Sequence, residues 1–453
     1  MILNLLFGSL ALLSLVLTLW QWLVAWRFPL HQRMPAPVSS PDPRSSRSQP
    51  AQAVPSQPPV TLLKPLKGCD AATEGCLRSW FTQQYSGSTQ ILFGVAAAED
   101  PVCGIVHKLV QEFPGSDAQL MVCGPPRGAN AKVSKLIELE RLAKHDLVIV
   151  SDADVRVPPD LLANIVAPLV GKVPLSQPTE QGPADVSHTR VAADVSRRHL
   201  QCGENAPTDV GGYAQLANPA RGDGSGSGGE DCGLVCCFYR LANPTTLAMQ
   251  WEAIAINADF WSQVLQSGSL KPIDFALGAV MATRRRQLEE IGGFATLVDC
   301  LADDNQLGNR IARRGYSIAV SPVVVECWSA PMGWAAVWKH QLRWARTIRV
   351  CQPAPYFFSV LSNATLWPLL WLVVRPAAPA VACALVCFLV RILTALDLQQ
   401  RLTRSRPPYA RGWLVPIKDL LQAAIWLLAF MGNRIEWRGE RMRLRRDGTL
   451  VRG

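Results

Sequence analysis

Two hydrophobic patterns alternate along the chain. Residues 2–25, ILNLLFGSLALLSLVLTLWQWLVA, are uncharged over a length that crosses a bilayer as a helix. Arg27, Arg33 and Arg44 follow, so the positive-inside rule puts the N-terminus outside and the next segment in the cytoplasm. The stretch has neither the basic leader nor the small-residue cleavage site of a signal peptide, and residues 1–26 read as a transmembrane anchor. Residues 27–59 read as a linker, Pro-, Ser- and Gln-rich from 35 on. From residue 60 short apolar runs alternate with amphipathic stretches. VTLLKPL (60–66), ILFGVAA (91–97), AQLMVCG (118–124) and DLVIVSD (146–152) predict strands, and 101–113 and 133–144 predict helices. That alternation predicts a parallel sheet with helices on both faces.

Periodicity lapses over 173–231, which is rich in Gly, Ser, Pro, Asp and Gln and ends in DGSGSGGED. This composition predicts a disordered insertion that interrupts the domain without ending it. GLVCCFYR (233–240) resumes as a strand, 303–314 predict a helix and 316–325 a further strand, so the α/β domain spans 60–350. Residues 356–374 and 376–393 predict a transmembrane hairpin turning at Arg375 and Pro376, with a basic cytoplasmic loop over 394–419. LLQAAIWLLAFMG (420–432) is short for a span. It reads either as a re-entrant or interfacial helix, or as a tilted span extended back through Leu414. The tail, 433–453, carries six arginines from Arg434 to Arg446 and reads as cytoplasmic.

Composition narrows the partners. The 453 residues are 49% hydrophobic, with a formal net charge of +10. The basic residues cluster beside apolar segments, which favours a membrane surface or phosphate-bearing ligands. No zinc-finger spacing, RNP box or basic-leucine pattern is present, so no nucleic-acid partner is expected. The 13 cysteines include no C-x-x-C pair and read as buried, reduced thiols.

Candidate chemistry starts at IVSDADVRV (149–157), where Asp152 and Asp154 flank one residue as an apolar strand ends. Side chains at the C-terminal end of a parallel strand point into the crevice where α/β folds bind ligands. Two carboxylates there repel unless a cation lies between them. A hard divalent ion meets that need and also holds substrate phosphates. Alone the motif is weak, because Asp-rich turns also cap helices and PPDLL starts one. In ADDNQ (302–306), Asp303 or Asp304 either caps the next helix or takes a proton from an alcohol. In HQLRW (340–344), Arg343 and Trp344 either meet a phosphate and a ring or anchor the interface. RGANAKVSKL (127–136) puts Lys132 and Lys135 near a diphosphate or simply in solvent.

In order, these motifs resemble the membrane-bound branch of GT-A glycosyltransferases, and most closely the ceramide glucosyltransferase family. PLKGCD (65–70), GANAKVSKL (128–136), SDADVRVPPDLL (151–162), GLVCCFYR (233–240), LADDNQLGNRIARRGY (301–316), HQLRWARTIR (340–349) and WRGERMRLRRDGTL (437–450) carry the likeness. The resemblance implies an α/β, GT-A nucleotide-diphospho-sugar transferase domain with transmembrane helices at both ends. It implies a UDP-sugar donor, a lipid acceptor and a divalent cation, Mg²⁺ or Mn²⁺, held by Asp154 and Asp152. Asp304 matches the catalytic base, with Asp303 beside it where a Glu is often found. Arg343 and Trp344 match the arginine and tryptophan of the Q/R-x-x-R-W motif, and His340 stands in its first position. Lys132, Asp152, Asp154, Asp303 and His340 are the residues expected at the nucleotide-sugar.

Within that family the chain is most similar to the bacterial branch assigned to hopanoid lipid biosynthesis. This implies inverting transfer of N-acetylglucosamine from UDP-GlcNAc to bacteriohopanetetrol at the bacterial inner membrane, with the catalytic domain facing the cytoplasm. Glucose transfer to ceramide is the close alternative. A processive polysaccharide synthase and a nucleotide-sugar-binding scaffold are the more distant ones. One departure is Ala97 in VAAAEDP (95–101), which stands where the family usually has an aspartate near the uracil; Glu99 or Asp100 is the available replacement.

Overall fold

The computed structural model describes residues 2–33, 57–171, 231–406, 411–437, 440–445 and 447–452. The predicted insertion, apart from Asp231, and residues 34–56 of the linker lie outside the described residues.

In chain order, helix α1 (Ile2–Arg27) leads to β1 (Val60–Pro65), α2 (Thr73–Phe81), β2 (Thr89–Val95), α3 (Val102–Glu112), β3 (Asp117–Val122), α4 (Ala131–Leu142), β4 (Leu147–Ser151), the short β5 (Val155–Arg156) and α5 (Leu161–Val170). After the insertion come β6 (Cys232–Leu241), α6 (Leu247–Ile254), a π-helical turn (Ala255–Phe260), α7 (Trp261–Gly268), β7 (Val280–Arg284), α8 (Arg285–Glu290), α9 (Asp303–Arg313), β8 (Ser317–Cys327) and α10 (Trp334–Cys351). The rest is largely helical: α11 (Pro353–Phe358), α12 (Leu366–Val374), α13 (Ala378–Thr403) and α14 (Leu414–Phe430), closed by strands β9 (Arg434–Trp437), β10 (Glu440–Leu444) and β11 (Leu450–Arg452).

Strands β1–β8 form one sheet in the order β3-β2-β1-β4-β7-β6-β8-β5. The first four run parallel, as expected. The sheet as a whole is mixed, because β7 lies antiparallel between β4 and β6. The β7 side chains are apolar and buried from Val280 to Ala282, so the run signals a central strand without revealing its direction. One face of the sheet is covered by residues such as Trp80, Val106 and Leu161. The other face packs Leu136, Phe238, Trp261 and Leu277 together with Ala395, Leu398 and Leu402 of α13.

That last contact corrects the predicted loop over 394–419. Helix α13 runs on to Thr403 because its last turns have an apolar face to bury, and α14 already begins at Leu414. The first arm of the expected hairpin is broken: 353–362 and 366–374 meet at 55°. Helices α1 and α13, 26 residues each, are long and apolar enough to cross a membrane. Both turn exposed apolar ridges outward, including Leu5, Leu12 and Val16, and Leu385, Leu389 and Leu393. The chain is thus an α/β domain flanked by apolar helices, the GT-A layout that the resemblance implies.

Four buried charges join the helices to the domain. Arg391 of α13 donates to Asp259 Oδ1 at 2.9 Å and to Asp419 Oδ2 at 2.9 Å. Lys418 pairs with Asp259 and lies 3.0 Å from Asp419 Oδ1. Thr365 Oγ1 donates to Asp419 Oδ2 at 2.8 Å. Two acids against two bases leave no net charge in a place where an unpaired ion is costly.

The predicted tail is folded. Strands β9–β11 form a small antiparallel sheet around Ile435, Met442, Leu444 and Leu450, which pack on Leu301. Its last strand is stitched to the loop before α9: Leu450 N donates to Asp299 O at 2.7 Å and Leu301 N to Gly448 O at 3.2 Å.

Candidate active site

The cluster is built where β4 ends. Asp152 and Asp154 lie in the turn from β4 to β5. Backbone bonds fix this turn: Asp152 N donates to Ala279 O, and Trp328 N to Asp154 O at 3.0 Å. From below, the buried Lys64 of β1 donates to Asp152 O at 2.7 Å and to Ser151 Oγ at 3.3 Å. Burial pulls its ammonium down to about 8, although the charges of Cys76, Asp154 and Asp152 oppose this. Lys64 was not among the expected site residues. Its signal is a lysine inside an apolar, fully buried strand.

Lys132 is the hub. Its Nζ lies 2.8 Å from Asp152 Oδ1 and 3.0 Å from Asp303 Oδ2. Burial opposes its charge, but the two carboxylates outweigh burial and hold it firmly protonated. It sits in the first turn of α4, where the Asn130 side chain accepts from Lys132 N at 3.0 Å and Val133 N at 3.3 Å. The amide of Asn130 reaches across to Cys300 O at 2.9 Å and Asp303 Oδ1 at 3.3 Å. One asparagine thus caps α4 and positions the start of α9.

Asp304 is the next residue of α9 and is half-buried. Burial and the neighbouring Asp303 push its carboxyl up to about 6, against the pull of Lys132. The carboxylate rests on Gly278: a Cβ there would fall 2.6 Å from Asp304 Oδ2. Asp154 keeps its side chain exposed in the cleft. Surrounding protein and the charge of Asp152 push its carboxyl up to about 6 as well.

Helix α10 supplies the second group. Trp344 packs at 6.3 Å from Tyr239, 5.8 Å from Phe260 and 5.2 Å from His340, ring centre to ring centre. Arg343 is half-buried beside it. His340 Nδ1 lies 2.6 Å from Oε1 of the buried Glu252, which also accepts from Gln341 Nε2 at 2.9 Å. Tyr239 lies between the groups. Burial raises its phenol well above the ordinary value, and the charges of Asp304, Glu252 and Asp152 add to the effect. Glu252 was not anticipated; a lone glutamate in an apolar helix, LAMQWEAI, was the available signal.

Near the expected uracil position, Asp100 is engaged elsewhere. It accepts from Gly68 N at 3.0 Å and from Val102 N at 3.1 Å, just ahead of α3, while Ala97 and Glu99 are exposed.

Among the described residues no group of three or more His, Cys, Asp or Glu side chains converges as a metal cage. Asp154 is open to the cleft, and Asp152 already shares a lysine. This donor set suits a hard cation that keeps several waters and takes its remaining ligands from a diphosphate.

A family model for "Glycosyl transferase family 21" matches residues 6–193 and 227–450. Ceramide glucosyltransferase 1 of Caenorhabditis elegans is 29% identical over 126 residues, 28% of this chain and 27% of the relative. The ceramide glucosyltransferase of Candida albicans is 34% identical over 129 residues, 26% of this chain and 24% of the relative. The aligned parts thus span about a quarter of each relative's length. Among solved structures, the mannosyltransferase PcManGT from Pyrobaculum calidifontis, in complex with GDP-Man and Mn²⁺, is 18% identical with a TM-score of 0.48, covering 95% of this chain and 98% of its own.

Proposed function

The chain belongs to glycosyl transferase family 21, and from that premise we propose that it moves a sugar from a UDP-sugar to a lipid alcohol at a membrane surface, inverting the anomeric centre. The observation that carries this reading is the hub at Lys132, which gathers the strand-end Asp152 and the helix-opening Asp303 beside a carboxylate held up to about 6.

In this reading Asp304 takes the proton from the acceptor hydroxyl. The freed oxygen attacks the anomeric carbon opposite the UDP leaving group, so one C–O bond forms as the other breaks. A carboxyl near 6 is ionised at neutral pH yet basic enough to share a proton in the transition state. Lys132 keeps the carboxylates from repelling the diphosphate, and Trp344 shapes the wall near the sugar. Asp154, with Asp152, would hold the divalent cation, which supplies positive charge against the departing diphosphate. The helices α1 and α13 keep the site at the lipid surface, with the domain in the cytoplasm of a bacterial cell.

The favoured finer reading is N-acetylglucosamine transfer to bacteriohopanetetrol, carried by the hopanoid-branch resemblance of the motifs. The names of the sequence relatives favour glucose transfer to ceramide as the second. Membranes carrying the protein are supplied with UDP-GlcNAc or UDP-glucose, Mg²⁺ or Mn²⁺, and either acceptor, and lipids are read by mass spectrometry. A hexosamine-bearing hopanoid, lost in Asp304→Asn, supports the first reading. Glucosylceramide supports the second. No lipid product with any pair would sink both.

A further inference from the structure

Glu252 is the most deeply buried carboxylate near the site that the mechanism above leaves without a role. Its side chain is 1% exposed. Oε1 accepts from the Gln341 amide, and His340 Nδ1 stands 2.6 Å from the same oxygen. For Oε1 to accept from both neighbours, Nδ1 must carry the ring's proton. The other oxygen, Oε2, is buried without a partner. A half-satisfied buried carboxylate costs stability, so its presence calls for a role other than stability.

Its neighbours suggest that role. The His340 ring lies against Trp344, and Trp344 lies against Tyr239 and Phe260. Glu252 is itself held firmly. Its helix continues through the π-turn to Asp259, which Arg391 and Lys418 clamp. In a regular helix, positions seven apart share a face. The wider π-turn rotates Asp259 away by roughly a quarter turn. One helix therefore serves two neighbours: Glu252 faces α10, and Asp259 faces α13 and α14.

We propose that Glu252 is a positioning residue for the transfer reaction: it fixes the orientation of His340 and, through that ring, the placement of Trp344 against the sugar. The proposal rests on the glycosyltransferase reading. Its role is to accept a hydrogen bond rather than to carry charge.

The test is a double-mutant cycle in the full-length membrane protein. Glu252→Ala and His340→Ala each lower kcat about 100-fold, the scale of a small misplacement of reacting groups, while KM for the UDP-sugar moves less than about threefold. The double variant is no worse than His340→Ala alone, because both changes remove one interaction. Glu252→Gln keeps the accepting oxygen and stays within about fivefold of the parent. Additive losses, or a Glu252→Ala protein as active as the parent, overturn the proposal. If Glu252→Ala does not accumulate folded, Glu252→Gln decides: retention supports the proposal and a 100-fold loss overturns it. Nitrogen-15 histidine spectra read the pairing without any turnover. The His340 signal, assigned by its loss in His340→Ala, shows a protonated Nδ1 in the parent and in Glu252→Gln. An Nε2–H tautomer in the parent overturns the proposal. A parent that transfers no sugar to any lipid sinks the glycosyltransferase reading instead, while the spectra still report whether Glu252 holds His340.

Discussion

The ammonium of Lys132 lies 3.0 Å from Asp303 Oδ2, with both side chains largely withdrawn from water. This pair binds the first turn of α4 to the first turn of α9. The same nitrogen reaches Asp152, so one cation sets the spacing of the strand-end turn and the helix that carries Asp304.

Lys132→Met should therefore cost stability as well as the proposed donor binding. It leaves Asp303 as an uncompensated buried charge, a change that typically costs about 3–5 kcal/mol. The expected outcome is a lower melting temperature in detergent and at least a 100-fold loss of transfer. Differential scanning fluorimetry beside the lipid-product assay reads both; an unchanged melting temperature would show that the pair contributes little.

Gly278→Ala addresses geometry alone. The new methyl would meet Asp304 Oδ2 at 2.6 Å, and the carboxylate must move. Transfer should fall about 10- to 100-fold, the scale of a small displacement of a reacting group. UDP affinity, measured by calorimetry, should hardly change.

The pH profile follows from the raised Asp304 carboxyl. In its proposed role as base it works ionised, so kcat should fall below about pH 6, tenfold per unit once well below it. The same shift has a stability consequence. An acid whose pKa is raised on folding stabilises the fold below its unfolded value, and that contribution is lost as pH rises through the folded one. For Asp304 the window runs from about 4 to about 6. Asp304→Asn should consequently be inactive yet melt higher than the parent at pH 7.5.

Leu450→Asp tests the folded tail. Leu450 is 5% exposed, and its amide donates to Asp299 O at 2.7 Å. A buried, unpaired charge there should detach β11 from the loop before α9. Transfer should drop at least tenfold, and hydrogen exchange should quicken over 298–304. Normal exchange with full activity would show that the tail is dispensable.

Much of this was legible in the chain. The apolar runs at β1, β2 and β4 predicted the parallel half of the sheet, and D-x-D marked the end of β4. The direction of β7 was hidden because a strand buried on both faces has no alternation to read. Lys64 escaped notice because β1 looks like a plain core strand until its lysine is placed beneath the turn. The four charges at 259, 391, 418 and 419 are scattered in sequence, and each reads alone as a flaw in an apolar helix. Glu252 carries no motif; only the approach of α10 gives it partners.

The docking of residues 448–450 on residues 299–301 also orders events during synthesis. When the loop before α9 leaves the ribosome, its edge partner has not been made. Between the two lie α13 and α14, whose Arg391 and Lys418 pair with Asp259. Until that partner is made Leu301, just ahead of Asp303 and Asp304, lacks the apolar cover of Ile435, Met442, Leu444 and Leu450. The loop before α9 therefore completes its packing only once β9–β11 have been made.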